Sequence, residues 1–126
     1  MREQGLALNY KPAMKRALRS RLQENSDAIL ALNGHDIAQI FDEPALVRRD
    51  MPTTIWQYRN DECVLDVYFT SGESGDVSQA DVVHYEMRDR QASGKKPKAS
   101  SCLGSLASND SVLSLINVDA FYKVSE

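Results

Sequence analysis

The sequence predicts an α+β fold, with short helices packed on one face of a small antiparallel sheet of three to four strands. Three observations carry this. Cys63, Leu65, Val67 and Phe69 alternate with Val64, Asp66, Tyr68 and Thr70, the period of a strand with one face in the core. Asp81 to Arg88 alternates again, with Val83, Tyr85 and Met87 assigned to one face and Val82, His84, Glu86 and Arg88 to the other. Ahead of both, apolar residues recur at helical spacing in two short stretches.

The first of these is Pro12 to Gln23, where Met14, Leu18 and Leu22 form an i, i+4, i+8 stripe. Pro12 suits a first helical position. Lys11, Lys15, Arg16, Arg19 and Arg21 surround the stripe, so the helix can lie as a solvated face, touch an anionic membrane surface or, least of all, contact nucleic acid, which would want aromatics among the basic residues. Ala28 to Leu32 is a shorter apolar turn, with Asn33-Gly34 expected to end it. Asp36 is expected to cap the second helical stretch, in which Ile37, Ile40 and Phe41 share a face and Pro44 forces an end.

Strands are expected at Ala45 to Arg49, which alternates, and at Thr54 to Tyr58, which is β-branched and aromatic. Pro52 keeps Met51-Pro52 out of a sheet interior. Asn60 and Asp61 mark a turn. Trp56 reads as a core anchor and Arg48-Arg49 as exposed salt-bridge material. The Cys63–Thr70 and Asp81–Arg88 strands should pair antiparallel across the loop at 71–80, which carries two glycines and no bulk.

Residues 1–11 are expected to be a flexible end, and 12–126 a single domain with a flexible, lysine-rich connector at about 89–101. Cys102, Leu103 and Leu106 then give one helical face. Residues 110–126 hold eight apolar or aromatic side chains that either complete the core or bind a partner.

The run from Gly34 to Thr70 resembles the SmpA/OmlA-like small outer-membrane lipoproteins and similar small bacterial envelope proteins. Gly34, Ile37, Ile40, Phe41, Pro44, Trp56 and Tyr58 carry the likeness. This chain departs from the pattern at Asp42 or Glu43, where the family usually has glycine, and at Cys63, the head of the next strand. The resemblance implies helices on one face of a small antiparallel sheet and a periplasmic or outer-membrane location, with a cytoplasmic location as the alternative.

Composition excludes several classes. With 126 residues, 42% hydrophobic and 26% charged, the chain can bury one core. A net charge of −3 supplies no field for nucleic acid. No run of 18 apolar residues is present, and the first 30 residues lack a secretory leader pattern. No nucleophile elbow, zinc-protease helix or phosphate loop occurs, so no catalytic residue, metal ligand, cofactor or small-molecule substrate is assigned.

Cys63 and Cys102 stand as either a disulfide, two buried thiols or, least of all, part of a metal site. Asp66, Tyr68, His84 and Glu86 should share the non-core sheet face. There a histidine with two carboxylates can do acid–base work, but it more often marks a solvated polar face. With Lys15, Arg16 and Arg19 they form the expected interaction surface. The expectation is a non-enzymatic envelope scaffold or assembly factor with a protein partner. The alternative is a soluble binding or inhibitor module using the sheet face or the 71–80 loop, and the weakest reading is a small enzyme built on His84 with Glu86 or Asp66.

Overall fold

A computed structural model describes residues 9–90 and 98–107. Helix α1 (Pro12–Glu24) leads through a 3₁₀ helix (Ser26–Ala31) to α2 (Gly34–Phe41). Four strands follow: β1 (Leu46–Asp50), β2 (Thr53–Arg59), β3 (Cys63–Thr70) and β4 (Val82–Asp89). A further helix, α3, spans 99–107. The sheet is an antiparallel meander in the order β1-β2-β3-β4, and the α+β prediction holds.

Period-two alternation along β3 decides which face the helices cover. Cys63, Leu65, Val67 and Phe69 are all fully buried. Ile29, Ile37, Ile40, Phe41 and Leu103 close over them in one apolar cluster. Each fully buried aliphatic or aromatic side chain in such a cluster contributes about 1.5–3 kcal/mol. Trp56 is only half-buried and meets Phe69 edge-on at 5.0 Å, so it borders the core instead of anchoring it.

Several local expectations change. Asn33 does not end the preceding helical turn. It caps α2: its side chain accepts the Asp36 N–H at 2.9 Å, while Asp36 Oδ2 accepts the Asn33 N–H at 3.0 Å. Asp36 is therefore the reciprocal partner in a capping box, not the cap itself. Tyr10 is no loose end, since its backbone N–H donates to Gln39 Oε1 at 2.8 Å and its hydroxyl donates to Asp36. Residues 1–8 lie outside the described residues, as do 91–97 of the expected connector and 108–126 of the apolar tail. Within the range of that connector β4 runs to Asp89, and α3 begins at 99.

The β3–β4 ladder shifts register between Tyr68 and Phe69. This bulge reverses the assignment at the start of β4. Val82 turns into the core at 3% exposure and Val83 faces solvent at 55%, because one unpaired residue restarts the alternation. The 71–80 loop is also better anchored than its composition suggests. Val77 is buried, its carbonyl accepts the Gly34 N–H at 3.1 Å, and the Ser78 carbonyl accepts the His35 N–H at 3.1 Å.

Helix α2 stops at Phe41, two residues before the predicted boundary, with Asp42 at φ 68°, ψ −156°. That region is nearly exclusive to glycine and costs other residues about 1–3 kcal/mol. The Tyr58 hydroxyl donates to the Asp42 carbonyl at 2.8 Å and holds the backbone there. Asp42→Gly should therefore raise stability by about 1 kcal/mol after the extra unfolded-chain entropy of glycine is subtracted. A urea midpoint that stays put or falls would contradict this account.

Candidate functional site

The face of the sheet away from the helices is the candidate site. Register places Asp66 opposite Glu86 and Tyr68 opposite His84, so the four residues singled out in the sequence do share a face. The same face carries Leu46, Arg48, Ile55, Gln57 and Arg88. Ile55 is buried but stands apart from the main apolar cluster, with Arg48 and Tyr68 as its cross-strand neighbours.

The quartet splits into two pairs of contacts. Asp66 is only 8% exposed, and both of its oxygens are engaged. Gln57 Nε2 donates to Oδ1 at 2.9 Å and Arg88 Nη2 donates to Oδ2 at 3.0 Å. A buried carboxylate needs such partners, because an unpaired one costs several kcal/mol. His84 instead meets Glu86, Nε2 to Oε2 at 3.1 Å, and packs edge-on against the Tyr68 ring at 5.1 Å. Both side chains of that pair are more than half exposed. Asp66 is thus spoken for by its own ladder neighbours, and His84 sits in water beside one carboxylate. No group of three or more His, Cys, Asp or Glu residues is placed to hold a metal ion among the described residues.

A trough of about 360 Å³ runs over this face between Leu46, Arg48, Gln57 and Glu86. A second groove of about 540 Å³ lies on the other side of β1, bordered by His35, Val47, Arg49, Trp56 and Asp76. The Asp76 carboxyl is held below the usual carboxylate range because the Ser78 N–H donates to it, at 3.0 Å. What this surface can do chemically is present hydrogen-bonding and charged groups to a flat or extended partner.

The basic helix is placed as expected in part. Leu22 is buried and Leu18 packs on the cluster, but Met14 is 47% exposed, so only the C-terminal half of the stripe reaches the core. Arg16 is exposed, while Lys15 and Arg19 are half-buried. Among the described residues no helix is long and apolar enough to cross a membrane. Arg48 and Arg49 correct a different expectation. Both are exposed, and neither forms an ion pair among the described residues. The register explains it: their ladder partners on β2 are Ile55 and Thr54, with no acid among them.

Cys63 and Cys102 form a disulfide across 39 residues, joining the first residue of β3 to α3. The Asn60 Nδ2 to Ser105 Oγ hydrogen bond at 2.9 Å ties the same helix to the β2–β3 turn.

Three tyrosines titrate late. Burial pushes the Tyr58 hydroxyl well above its ordinary range, and the nearby charges of Asp42 and Glu43 add to it. Burial and the Asp36 hydrogen bond push Tyr10 up to about 12. Tyr85 is raised by burial and by its hydrogen bond to Asp27, 2.6 Å long. A folded-state pKa above the unfolded value near 10 means stability is complete below about pH 10 and is lost as pH rises beyond it. Alkaline unfolding followed by circular dichroism should begin above about pH 10 and coincide with tyrosinate absorbance. Tyr58→Phe should move that transition upward. Ionisation of Tyr58 near pH 10 in a still-folded protein would contradict the assignment.

No family model, no curated protein and no solved structure matches this chain.

Proposed function

We propose that this chain is a non-enzymatic bacterial envelope protein, similar in kind to the SmpA/OmlA-like lipoproteins, which acts as a scaffold or assembly factor through protein–protein contacts. The observation that carries the reading is the Cys63–Cys102 disulfide, because such bonds persist in oxidising compartments and are rare in the cytosol of mesophiles. The exposed polar sheet face supports it as a surface suited to contacts. The residues it would use there are Tyr68, His84, Glu86 and the Asp66–Arg88 pair, with Lys15, Arg16 and Arg19 of α1 available to an anionic membrane surface.

The test is the intact mass after thiol alkylation, with and without reductant, on protein isolated from its native compartment. The reading expects no added alkyl group until reductant is present. Two groups adding at once in denaturant would place the chain in a reducing compartment and remove the envelope assignment. A pull-down from native extract then separates the scaffold from a soluble binding or inhibitor module. A membrane-assembly partner favours the first, and a single soluble target favours the second.

A further inference from the structure

Strand β1 is unlike the rest of the sheet. All five of its residues, Leu46 to Asp50, are exposed. It pairs with β2 alone, so its outer N–H and C=O groups meet no strand among the described residues. Leu46 and Val47 leave 49% and 43% of their surface in solvent, and Met51 follows them at 47%. An unpaired edge with apolar side chains is a template for a further extended chain.

We propose that β1 is a docking edge for an extended acidic–aliphatic segment of a partner protein, added antiparallel as a fifth strand. The alternation of β1 gives each sheet face one aliphatic residue and one arginine. Leu46 and Arg48 border the trough of about 360 Å³, while Val47 and Arg49 border the groove of about 540 Å³. Directly opposed residues of an antiparallel pair share a face and interact. A segment that places acids opposite Arg49 and Arg48, then aliphatic residues opposite Val47 and Leu46, therefore sets matched side chains beside β1 on both faces of the sheet. Read from its own N-terminus, it runs acid, acid, aliphatic, aliphatic.

Charge fixes the register and the occupant. Asp50 follows the two arginines, so a slip that moves an acid opposite Asp50 is repelled. A second copy pairs less well: centred on Arg48 it sets arginine against arginine, and centred on Arg49 it gains Arg48–Asp50 pairs but still opposes Arg49 to Arg49. Discrimination of this kind uses repulsion against the wrong partner as much as attraction to the right one. The proposal rests on the contact-acting reading above. That reading is judged by alkylation and pull-down, and this one by a defined peptide, so the two can fail separately.

The experiment titrates the full chain into a labelled, end-blocked peptide of sequence Thr-Glu-Glu-Val-Leu-Thr and follows anisotropy. Backbone amide shifts are then mapped on the complex. The expected result is saturable binding with shifts concentrated on Leu46–Arg59. The Arg48→Glu/Arg49→Glu variant, which keeps the fold because both side chains are exposed, should weaken binding about tenfold or more. The matching Thr-Lys-Lys-Val-Leu-Thr peptide should bind that variant and not the parent. Three outcomes overturn the proposal: equal binding of both peptides to the parent chain, no binding to the full chain, or shifts confined to β4 or α1. Concentration-dependent self-association that Arg48→Glu abolishes would also overturn it and assign the edge to a second copy.

Discussion

Gly34→Ala should destabilise the protein by about 3 kcal/mol or more, an effect at the upper end for a single added methyl group. A Cβ on Gly34 would lie 2.2 Å from the Val77 carbonyl oxygen and 2.8 Å from its carbonyl carbon. Both atoms belong to backbone, so no rotamer change relieves the clash. The Gly34 N–H also donates to that carbonyl at 3.1 Å and to the Ala80 carbonyl at 3.2 Å. Moving Val77 away breaks the contact that holds the 71–80 loop against α2 and pulls a buried valine from the core. For a domain of this size the melting temperature should fall by roughly 10–20 °C. Gly72→Ala is the control. Gly72 sits at φ 67° with nothing near its Cβ position, so only the backbone cost applies, roughly 1 kcal/mol. A Gly34→Ala melt within a degree or two of the parent would mean that the loop does not pack on α2 as described.

Removing the disulfide should be the other large effect. In the chain-entropy view, releasing a loop of 39 residues costs about 4 kcal/mol, with native-state relaxation returning part of it. The Cys63→Ala/Cys102→Ala protein should therefore lose about 2–4 kcal/mol by urea denaturation. The loss should be uneven. A helix as short as α3 is marginal by itself and leans on Cys102, Leu103, Leu106 and Ala107, all buried. Hydrogen exchange should accelerate first in residues Cys102–Ala107, while β2 and β3 keep most of their protection. Uniform acceleration through the sheet would instead make the bond part of the global core. A double variant as stable as the parent would show that packing alone holds α3.

Much of this architecture was legible, and the reasons differ by element. The β3 strand could be read because its alternation is unbroken and its partner faces are of opposite polarity, so no tertiary knowledge was needed to place Asp66 and Tyr68 on the outer face. The start of β4 could not. A bulge is a relation between two strands, and nothing local to Val82 and Val83 says which one the ladder skips. Asn33-Gly34 has the composition of a helix C-cap or a turn. Its role as a cap depends on Asp36 folding back to its N–H, and its glycine on Val77, more than forty residues away. The outer-face residues were correctly grouped, yet their partners were not. Gln57 and Arg88 reach Asp66 only because β2 and β4 flank β3 in this register, and that information lies in pairing, not in any single stretch.

Because strand order equals chain order, the pairings within the described sheet are made between neighbours in sequence, across connections at 51–52, 60–62 and 71–81, and only the isolated Asn33–Asp81 bridge reaches further among the described residues. Low sequence separation of contacts goes with fast folding, since little loop entropy is lost before each pairing is rewarded. On a growing chain the helices α1 and α2 come first, and the sheet can zip onto them one hairpin at a time. The Cys63–Cys102 bond, by contrast, reaches across 39 residues. Oxidation becomes the closing event of assembly, a latch that records that the sheet beneath it has already formed.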